Sequence, residues 1–281
     1  MSELNTIRHT HTFQSTNTLQ QQLHTLGIKT GDNIIVHSSL RSMGWIAGGT
    51  QAVVEALMET VTRTGTIVMP AQSADNSDPS YWRLPPVPEE WHESIRQSLP
   101  AYNPHLTNLR GMGKIAECFH RHPETIRSDH PAHSFIAWGQ HAENWMDKHS
   151  LYDSFGMTSP LGKMLGADVK IVMIGVDYDT CTALHLAEYL APGLTTSSDG
   201  AAMLQNGKRV WATYEMAYLD SDMFPELVKA FEKINPDLGI HGLLGQATCK
   251  IMPMKPLIDF GSGWITKKRM AEAMLEDQNR N

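Results

Sequence analysis

The chain has 281 residues, of which 41% are apolar, and a formal net charge of −7. This length and composition are sufficient for one large core. No apolar signal segment stands at its beginning, and its apolar runs are shorter than the roughly 18 residues of a membrane span. An acidic chain without a Lys/Arg block also lacks the basic face that nucleic acid requires. We therefore expect a soluble, cytoplasmic protein, a monomer or homodimer, that binds neither nucleic acid nor membrane.

The cysteines and histidines do not form a metal-binding pattern. Three cysteines stand far apart without CxxC spacing, so the sequence indicates neither a disulfide framework nor a zinc ribbon. Fourteen histidines include the pairs His120 with His122 and His130 with His133. No HExxH motif occurs, and no third ligand follows at the spacing of a zinc site. We expect no metal.

The amino-terminal part alternates helix and strand. Residues 16–27 predict a helix with its leucines on one face, and residues 33–37, NIIVH, predict a buried strand. A loop of small residues then leads to Thr50, the predicted cap of a helix over 51–63. Such a loop can bring backbone N–H groups close to an anion, although an ordinary Gly/Ser connection fits it equally well.

A second strand over 65–70, GTIVMP, leads into a long segment, 71–110, that is rich in proline and aromatic residues. No part of this segment has the periodicity of a helix or strand. Loops of this length inside a domain are usually lids or binding loops. Asp75 and Asp78 stand near its start, where they suit either an ammonium ligand or simple turn chemistry.

The middle of the chain continues with regular elements. RGMGKIAECFH begins a helix at two glycines, which permits close backbone approach to a phosphate or an acyl chain. Residues 134–138 predict a strand and 140–149 a helix. The loop LYDSFGMTSPLGK follows.

The stretch 169–190, VKIVMIGVDYDTCTALHLAEYL, is the main site candidate. Its apolar, β-branched start predicts a strand buried on both faces, and the polar residues 177–182 predict a helix start at that strand's carboxyl end. There Asp179 can fold back to hold the imidazole of His185 in one tautomer, as a general base requires. A hydrogen-bonded core histidine with Asp179 as a helix cap fits the same pattern.

The last part of the chain predicts antiparallel strands over 208–219, a helix over 223–234, a strand over 246–252 and a charged helix over 266–276. Glu215 lies in the first of these, and periodicity does not decide whether it faces solvent or a site. No repeat or linker divides the chain. We therefore expect a single domain over 1–281 with the long loop, 71–110, inside it.

Seven segments taken together resemble, in this order, the aminoglycoside 3-N-acetyltransferase family. They are VHSSLRSMGW, GGTQAVVEAL, GTIVMPA, TNLRGMGKIAE, RSDHPAHSFIAWG, SPLGKML and GVDYDTCTALHLAE, and the match spans about residues 16–277. The resemblance implies an α/β fold, a three-layer α/β/α arrangement around a central mixed sheet. It also implies transfer of an acetyl group from acetyl-CoA to the 3-amino group of a 2-deoxystreptamine antibiotic, and hence antibiotic resistance.

The resemblance also implies site residues. It places the catalytic base at His185, its orienting partner at Asp179 and a further catalytic carboxylate at Glu215. For CoA it implies Ser38, Ser39, Leu40, Arg41, Ser42, Thr107, Gly111, Met112 and Gly113. For the cationic drug it implies Asp75, Asp78, Glu188, Asp220 and Asp222. Two positions depart from many relatives, which carry asparagine at Cys181 and a second acidic residue after Glu215.

The expected mechanism is direct transfer, because an amine attacks a thioester only after a base has removed its proton. A rival of another class is a cysteine amidohydrolase or acyltransferase that uses Cys181 near a helix start, with His185 and Asp179. Acetylation of a different small amine also fits the chemistry. A small-molecule binding protein without catalysis would fit if the site had no base.

Overall fold

The computed structural model describes residues 3–280, apart from the side chains at 276, 277, 279 and 280. The strands are β1 (Asn33–Ser38), β2 (Thr66–Pro70), β3 (Ile126–Arg127), β4 (Phe135–Gly139), β5 (Val169–Ile174), β6 (Thr196–Gln205), β7 (Lys208–Ala217), β8 (Ile240–Leu244) and β9 (Ala247–Pro253). The helices are α1 (Glu3–Arg8), α2 (Thr16–Thr25), α3 (Gly49–Val61), α4 (His92–Ser98), α5 (Gly113–His120), α6 (Ala142–Met146), α7 (Pro160–Met164), α8 (His185–Leu190), α9 (Phe224–Ile234) and α10 (Met254–Arg280). Within residues 3–280, no helix is both long enough and apolar enough to cross a bilayer.

In this part of the chain, seven strands form one mixed sheet in the order β3-β4-β2-β1-β5-β9-β8. β1 pairs in parallel with β2 and with β5, whereas β4 and β9 run antiparallel to β2 and β5. The central strands are continuous apolar runs, as expected of parallel strands that are covered on both faces. The carboxyl ends of β1, β2 and β5 therefore meet at one edge of the sheet.

Alternate residues of the central strands face two different helical layers. Ile35, Val68 and Ile171 pack with α6 to α10 on one face. The neighbouring residues Ile34, Ile67 and Val172 pack with α2, α3 and α5 on the other face. The predicted three-layer α/β/α arrangement with a central mixed sheet is confirmed.

The predicted central strands are confirmed to within about two residues, but several helix limits were wrong. Gly48, in the left-handed conformation, caps α3 in place of the predicted Thr50. The terminal helix α10 begins twelve residues before the predicted start at 266. Within α10, a side chain at Gly261 would come within 3.1 Å of the Ala187 side chain. The glycine therefore permits close packing of α10 on α8.

Five elements whose sequences lack a clear periodic pattern were not predicted, namely α1, α7, β3, β6 and β8. The long loop, predicted to lack regular structure, contains α4 and three 3-10 turns at Ala74–Asn76, Pro79–Tyr81 and Glu89–Trp91. None of the residues of α4 is buried. An unburied helix has no apolar stripe from which it could be predicted.

The buried side chain of Arg127 joins both ends of the long loop. Its guanidinium donates to the carbonyl oxygen of Ala71 at 2.8 Å, to Ser73 Oγ at 2.6 Å and to the carbonyl oxygen of Thr107 at 2.5 Å. Ser134 Oγ accepts a further bond at 2.9 Å. Burial lowers the pKa of Arg127. Carbonyl and hydroxyl oxygens thus satisfy this buried cation.

Strands β6 and β7 form a separate hairpin in full register from Thr196 opposite Ala217 to Gln205 opposite Lys208. Asn206 and Gly207, both with positive φ, make the turn between them. The long loop packs on this hairpin, where Asp78 donates its backbone N–H to Asp199 Oδ1 at 2.9 Å. The hairpin therefore supports the loop from outside the central sheet.

Candidate active site

The site lies at the edge of the sheet where β1, β2 and β5 end. After β5, two 3-10 turns, Tyr178–Thr180 and Thr182–Leu184, precede α8. The single helix predicted from 177–182 is thus broken, because Cys181 between the turns has a non-helical ψ of 80°. His185 consequently stands at the first position of α8.

His185 is held by a carboxylate one helical turn away. Its Nδ1 lies 2.5 Å from Glu188 Oε2, and the side chain of Glu188 is only 1% exposed. The other oxygen of that carboxylate accepts the backbone N–H of Asp220 at 2.9 Å. With Nδ1 donating to Glu188, Nε2 carries the lone pair and is free to accept a proton.

The orienting partner predicted from the sequence was Asp179, and the structure puts a different carboxylate there. Asp179 is exposed on the first 3-10 turn, whereas Glu188 contacts the ring. The reason is helical spacing, because residues three apart on a helix are neighbours. Glu188, predicted to face the substrate, is instead buried behind the imidazole.

Two aromatic rings fix the plane of the imidazole. The ring centroids of Phe155 and Phe224 lie 5.2 Å and 5.1 Å from that of His185. The side chain of His185 is 14% exposed. The imidazole is therefore largely enclosed by aromatic side chains.

Three further histidines lie together beside this site, two of them just before β4 and the third after α6. The ring of His130 stacks within 5.0 Å of His133 and 4.9 Å of His149. Ser154 links two of these rings, its carbonyl oxygen bonding His149 Nε2 at 2.7 Å and its hydroxyl bonding His130 Nε2 at 2.8 Å. His133 stacks on Phe155 at 4.9 Å, while its buried Nδ1 has no partner.

These rings are neutral at physiological pH. Burial lowers the pKa of His133 to about 3 and that of His149 to about 4, and it holds the pKa of His130 well below its ordinary value. In the sequence, His130 and His133 stand out only as a candidate pair of metal ligands. Among the described side chains, no group of three or more His, Cys, Asp or Glu is arranged to hold a metal ion.

A cavity of about 630 Å³ opens at the same edge of the sheet. Most of the residues predicted for CoA line it: Ser38, Ser39, Leu40, Arg41, Gly111, Met112 and Gly113. Lys114, Trp45 and Thr6 also line it, although the sequence had not singled them out. The two glycines have φ values of +83° and +87°, which exposes backbone N–H groups that a side chain would hinder.

Two residues predicted for CoA lie elsewhere. Ser42 turns back and donates its hydroxyl to the carbonyl oxygen of Ser39 at 2.7 Å. Thr107 lines a different cavity of about 450 Å³, and its hydroxyl accepts the backbone N–H of Asn103 at 2.9 Å. Both side chains stabilise turns.

The two aspartates of the long loop are already paired with arginines. Asp75 contacts Arg110, and Asp78 accepts two bonds from Arg96 at 2.8 Å and 2.9 Å. Burial by itself would raise the pKa of Asp78, but the hydrogen bonds and charge of Arg96, with the bonds from Ser80, lower it to about 2. The predicted drug-binding charge at this position is thus neutralised within the protein.

The remaining predicted carboxylates are exposed. Glu215 lies on β7 opposite Ser198. Asp220 accepts the backbone N–H of Asp222 at 3.0 Å, so the two residues form a turn next to the amide that holds Glu188. All three carboxylates are accessible to solvent.

The thiol of Cys181 is fully buried. Burial raises its pKa to about 12. A nucleophilic cysteine needs the opposite environment, exposed and favourable to the thiolate. The geometry thus does not favour the cysteine mechanism.

Fold and site together define a class: an α/β/α protein whose sheet edge carries a carboxylate-held histidine beside a cleft lined by glycine and serine. Residues 35–266 match the family model described as aminoglycoside 3-N-acetyltransferase. The chain belongs to this family.

Individual relatives agree with this assignment. The chain is 42% identical to the SPbeta prophage-derived aminoglycoside N(3')-acetyltransferase-like protein YokD of Bacillus subtilis (strain 168), over 88% of this chain and 90% of YokD. The YokD crystal structure superposes with a TM-score of 0.92, at 40% identity over 95% of this chain and 98% of YokD. Aminoglycoside N(3)-acetyltransferase IX of Micromonospora chalcea is 31% identical over 95% of this chain and 99% of its own. The structure of AAC-IIIb in a binary complex with CoASH has a TM-score of 0.80 and 29% identity, over 92% of this chain and 98% of AAC-IIIb.

Proposed function

We propose that this protein transfers the acetyl group of acetyl-CoA to the 3-amino group of a 2-deoxystreptamine aminoglycoside, with His185 as general base. The observation that carries the proposal is the His185–Glu188 pair, which leaves Nε2 free at the sheet edge that also bears the 630 Å³ cavity. Family membership supplies the substrate class, and the relative solved with CoASH supports the cosubstrate.

The cavity suits the phosphate and pantetheine parts of CoA. Backbone N–H groups at Gly111 to Gly113 and the cations Arg41 and Lys114 surround it. Such groups bind phosphate because they combine unpaired donors with positive charge. The exposed Glu215, Asp220 and Asp222 lie at the surface available to a cationic drug, and the chain's net charge of −7 favours the encounter.

The reaction proceeds by direct attack. His185 Nε2 removes a proton from the bound ammonium, and Glu188 stabilises the imidazolium that forms. The amine nitrogen then bonds to the acetyl carbon, the carbonyl electrons move to oxygen, and the C–S bond breaks as they return. The nitrogen loses its second proton, which the departing CoA thiolate takes up, so the products are the amide and the CoA thiol, and His185 then releases its proton to solvent.

The test combines binding, product analysis and one variant. Calorimetry is expected to detect binding of CoA, and incubation with acetyl-CoA and a 2-deoxystreptamine aminoglycoside is expected to give a monoacetylated product whose NMR spectrum places the amide at the 3-amino group. His185→Ala should lower kcat by about 10² to 10⁴-fold and leave the Kd for CoA nearly unchanged. Wild-type protein that neither binds CoA nor acetylates any aminoglycoside would refute the proposal.

A further inference from the structure

A second histidine reaches the same edge and the same face of the sheet as His185. His37 is the fifth residue of β1 and stands opposite Met173 of β5 in parallel register. Side chains alternate along a strand, so His37 faces the layer that Ile35 faces, which also contains α8. The charge of His185 acts on His37 and adds to the effect of burial in lowering its pKa to about 4. The two imidazoles are thus electrostatic neighbours.

His37 lines a small cavity of about 130 Å³. Ser38, Gly111 and Met112 border both this cavity and the larger one of 630 Å³. On its other side lie Thr180 and Thr182, in the turns that lead into α8. A cavity of this volume has room for a group of several heavy atoms. The acetyl thioester end of acetyl-CoA, with two carbons, an oxygen and a sulfur, is of this size.

Among the described residues, none forms a hydrogen bond with the imidazole of His37. It is 6% exposed, and its Nε2 is buried without a hydrogen bond. Buried polar atoms in native proteins are almost always paired, so an unpaired one calls for an explanation. The low pKa keeps this ring neutral at physiological pH, with one N–H to donate. A neutral donor suits a site where His185 becomes positively charged, because a second cation would oppose that step.

We propose that His37 donates a ring N–H hydrogen bond to the carbonyl oxygen of the acetyl thioester, and to the oxyanion that this oxygen becomes when the amine adds. This inference rests on the proposed function. It assigns His37 as a second catalytic residue, one that stabilises negative charge while His185 removes the proton. A donor aimed at a developing oxyanion typically contributes about 10² to 10³-fold in rate.

The experiment compares two substitutions of similar size. His37→Leu removes the donor, and His37→Gln replaces it with a neutral amide donor. We expect His37→Leu to lower kcat by about 10² to 10³-fold and His37→Gln by less than about tenfold, with the Kd for CoA unchanged in both. His149→Gln is the matched control, since it alters a buried imidazole that does not line the cavity.

A spectroscopic measurement separates a hydrogen bond from a packing effect. The probe is acetonyl-CoA carrying carbon-13 in its carbonyl, a ketone in which a methylene group joins sulfur to carbonyl so that no acyl transfer occurs. On binding to the wild-type protein and to His149→Gln, its infrared C=O band should lie at lower wavenumber than the same ketone group shows in an apolar solvent. With His37→Leu the band should move to higher wavenumber than in the wild-type complex.

The possible results distinguish the role of His37 from the proposed function. Near wild-type kcat in folded His37→Leu, or the same band position in that variant and the wild type, would overturn the proposal. If the variants do not fold, the wild-type spectrum decides, because a band no lower than the same ketone group shows in an apolar solvent is incompatible with a donor at the carbonyl. Wild-type protein that fails to bind CoA overturns the proposed function itself, whereas CoA binding with the C=O band at its apolar-solvent position overturns the role of His37 alone.

Discussion

At the scale of single residues, the carboxylate at His185 decides how the imidazole works. Glu188 is buried, bonds Nδ1 and is held in turn by the amide of Asp220, whereas Asp179 is exposed. An orienting carboxylate acts by fixing the tautomer and stabilising the imidazolium. We therefore expect kcat to depend strongly on Glu188 and only weakly on Asp179.

Substitution of each carboxylate by its amide tests this difference. Glu188→Gln should lower kcat by about 10² to 10⁴-fold, because an amide stabilises an imidazolium poorly and favours the wrong tautomer. Asp179→Asn, as the matched control, should stay within about threefold of the wild type. Steady-state kinetics on folded protein measure both. Equal losses in the two variants would return the orienting role to Asp179.

Cys181 provides a second test at this scale. Its thiol is buried and has a raised pKa of about 12, so transfer should not pass through a thioester on the enzyme. Cys181→Ser should keep kcat within about threefold while lowering the free energy of unfolding by about 1 to 3 kcal/mol, since a hydroxyl is costly at this buried position. Intact-protein mass spectrometry after mixing with acetyl-CoA should show no adduct. A stoichiometric acetyl group on Cys181 would contradict direct transfer.

At the scale of elements, the long loop depends on contacts made by residues outside it. Arg127 joins its two ends through carbonyl and hydroxyl oxygens, and Arg209 of the hairpin bonds the carbonyl oxygens of Leu99 and Arg96. The first arginine is buried and the second exposed. The contacts of the buried arginine should contribute more to stability, because a buried polar atom that loses its partner cannot form a hydrogen bond with water instead.

Substitution of Arg127 should therefore lower the free energy of unfolding more than substitution of Arg209. Arg127→Met leaves several buried oxygens unpaired and should lower the free energy of unfolding by about 3 to 5 kcal/mol. Arg209→Met should cost less than about 1 kcal/mol, as is usual for an exposed contact. Urea denaturation measures the losses, and limited proteolysis shows whether the loop is cut first. Similar losses for the two variants would mean that burial of Arg127 is unimportant.

At the scale of the whole molecule, the buried histidines make folding sensitive to acid. The pKa values of His37, His133 and His149 are about 4, 3 and 4 in the folded protein, and that of His130 is also lowered. In the unfolded chain each is near 6.5. Between these limits the unfolded state binds more protons, so stability is full above pH 6.5 and falls as the pH drops toward 4.

The effect should be large enough to unfold the protein. Each group contributes up to about 1.4 kcal/mol per pH unit, so the four together give on the order of 4 to 5 kcal/mol per unit near pH 5. Chemical denaturation at pH 7, 6 and 5 measures this slope, and His149→Gln should reduce it by one group's share. A constant free energy of unfolding between pH 7 and 5 would show that these rings are not held neutral.

The sequence by itself determined the elements that have strong local patterns. The apolar runs of β1, β2 and β5 predicted buried central strands, and the stretch from Val169 to Leu190 predicted that His185 follows the carboxyl end of β5. The order of seven short segments predicted the family. Such features are local, because they depend on burial on both faces and on turn residues at fixed positions.

Only the tertiary structure decided which side chains meet. In the folded protein Glu188, and not Asp179, bonds His185. Asp75 and Asp78 pair with arginines. His37 of β1 lies at the sheet edge where His185 also lies. The tertiary structure also settled that α10 continues through its glycines and that TSSDGAAMLQ pairs as β6. These outcomes depend on contacts between residues far apart in sequence, and periodicity carries no information about such contacts.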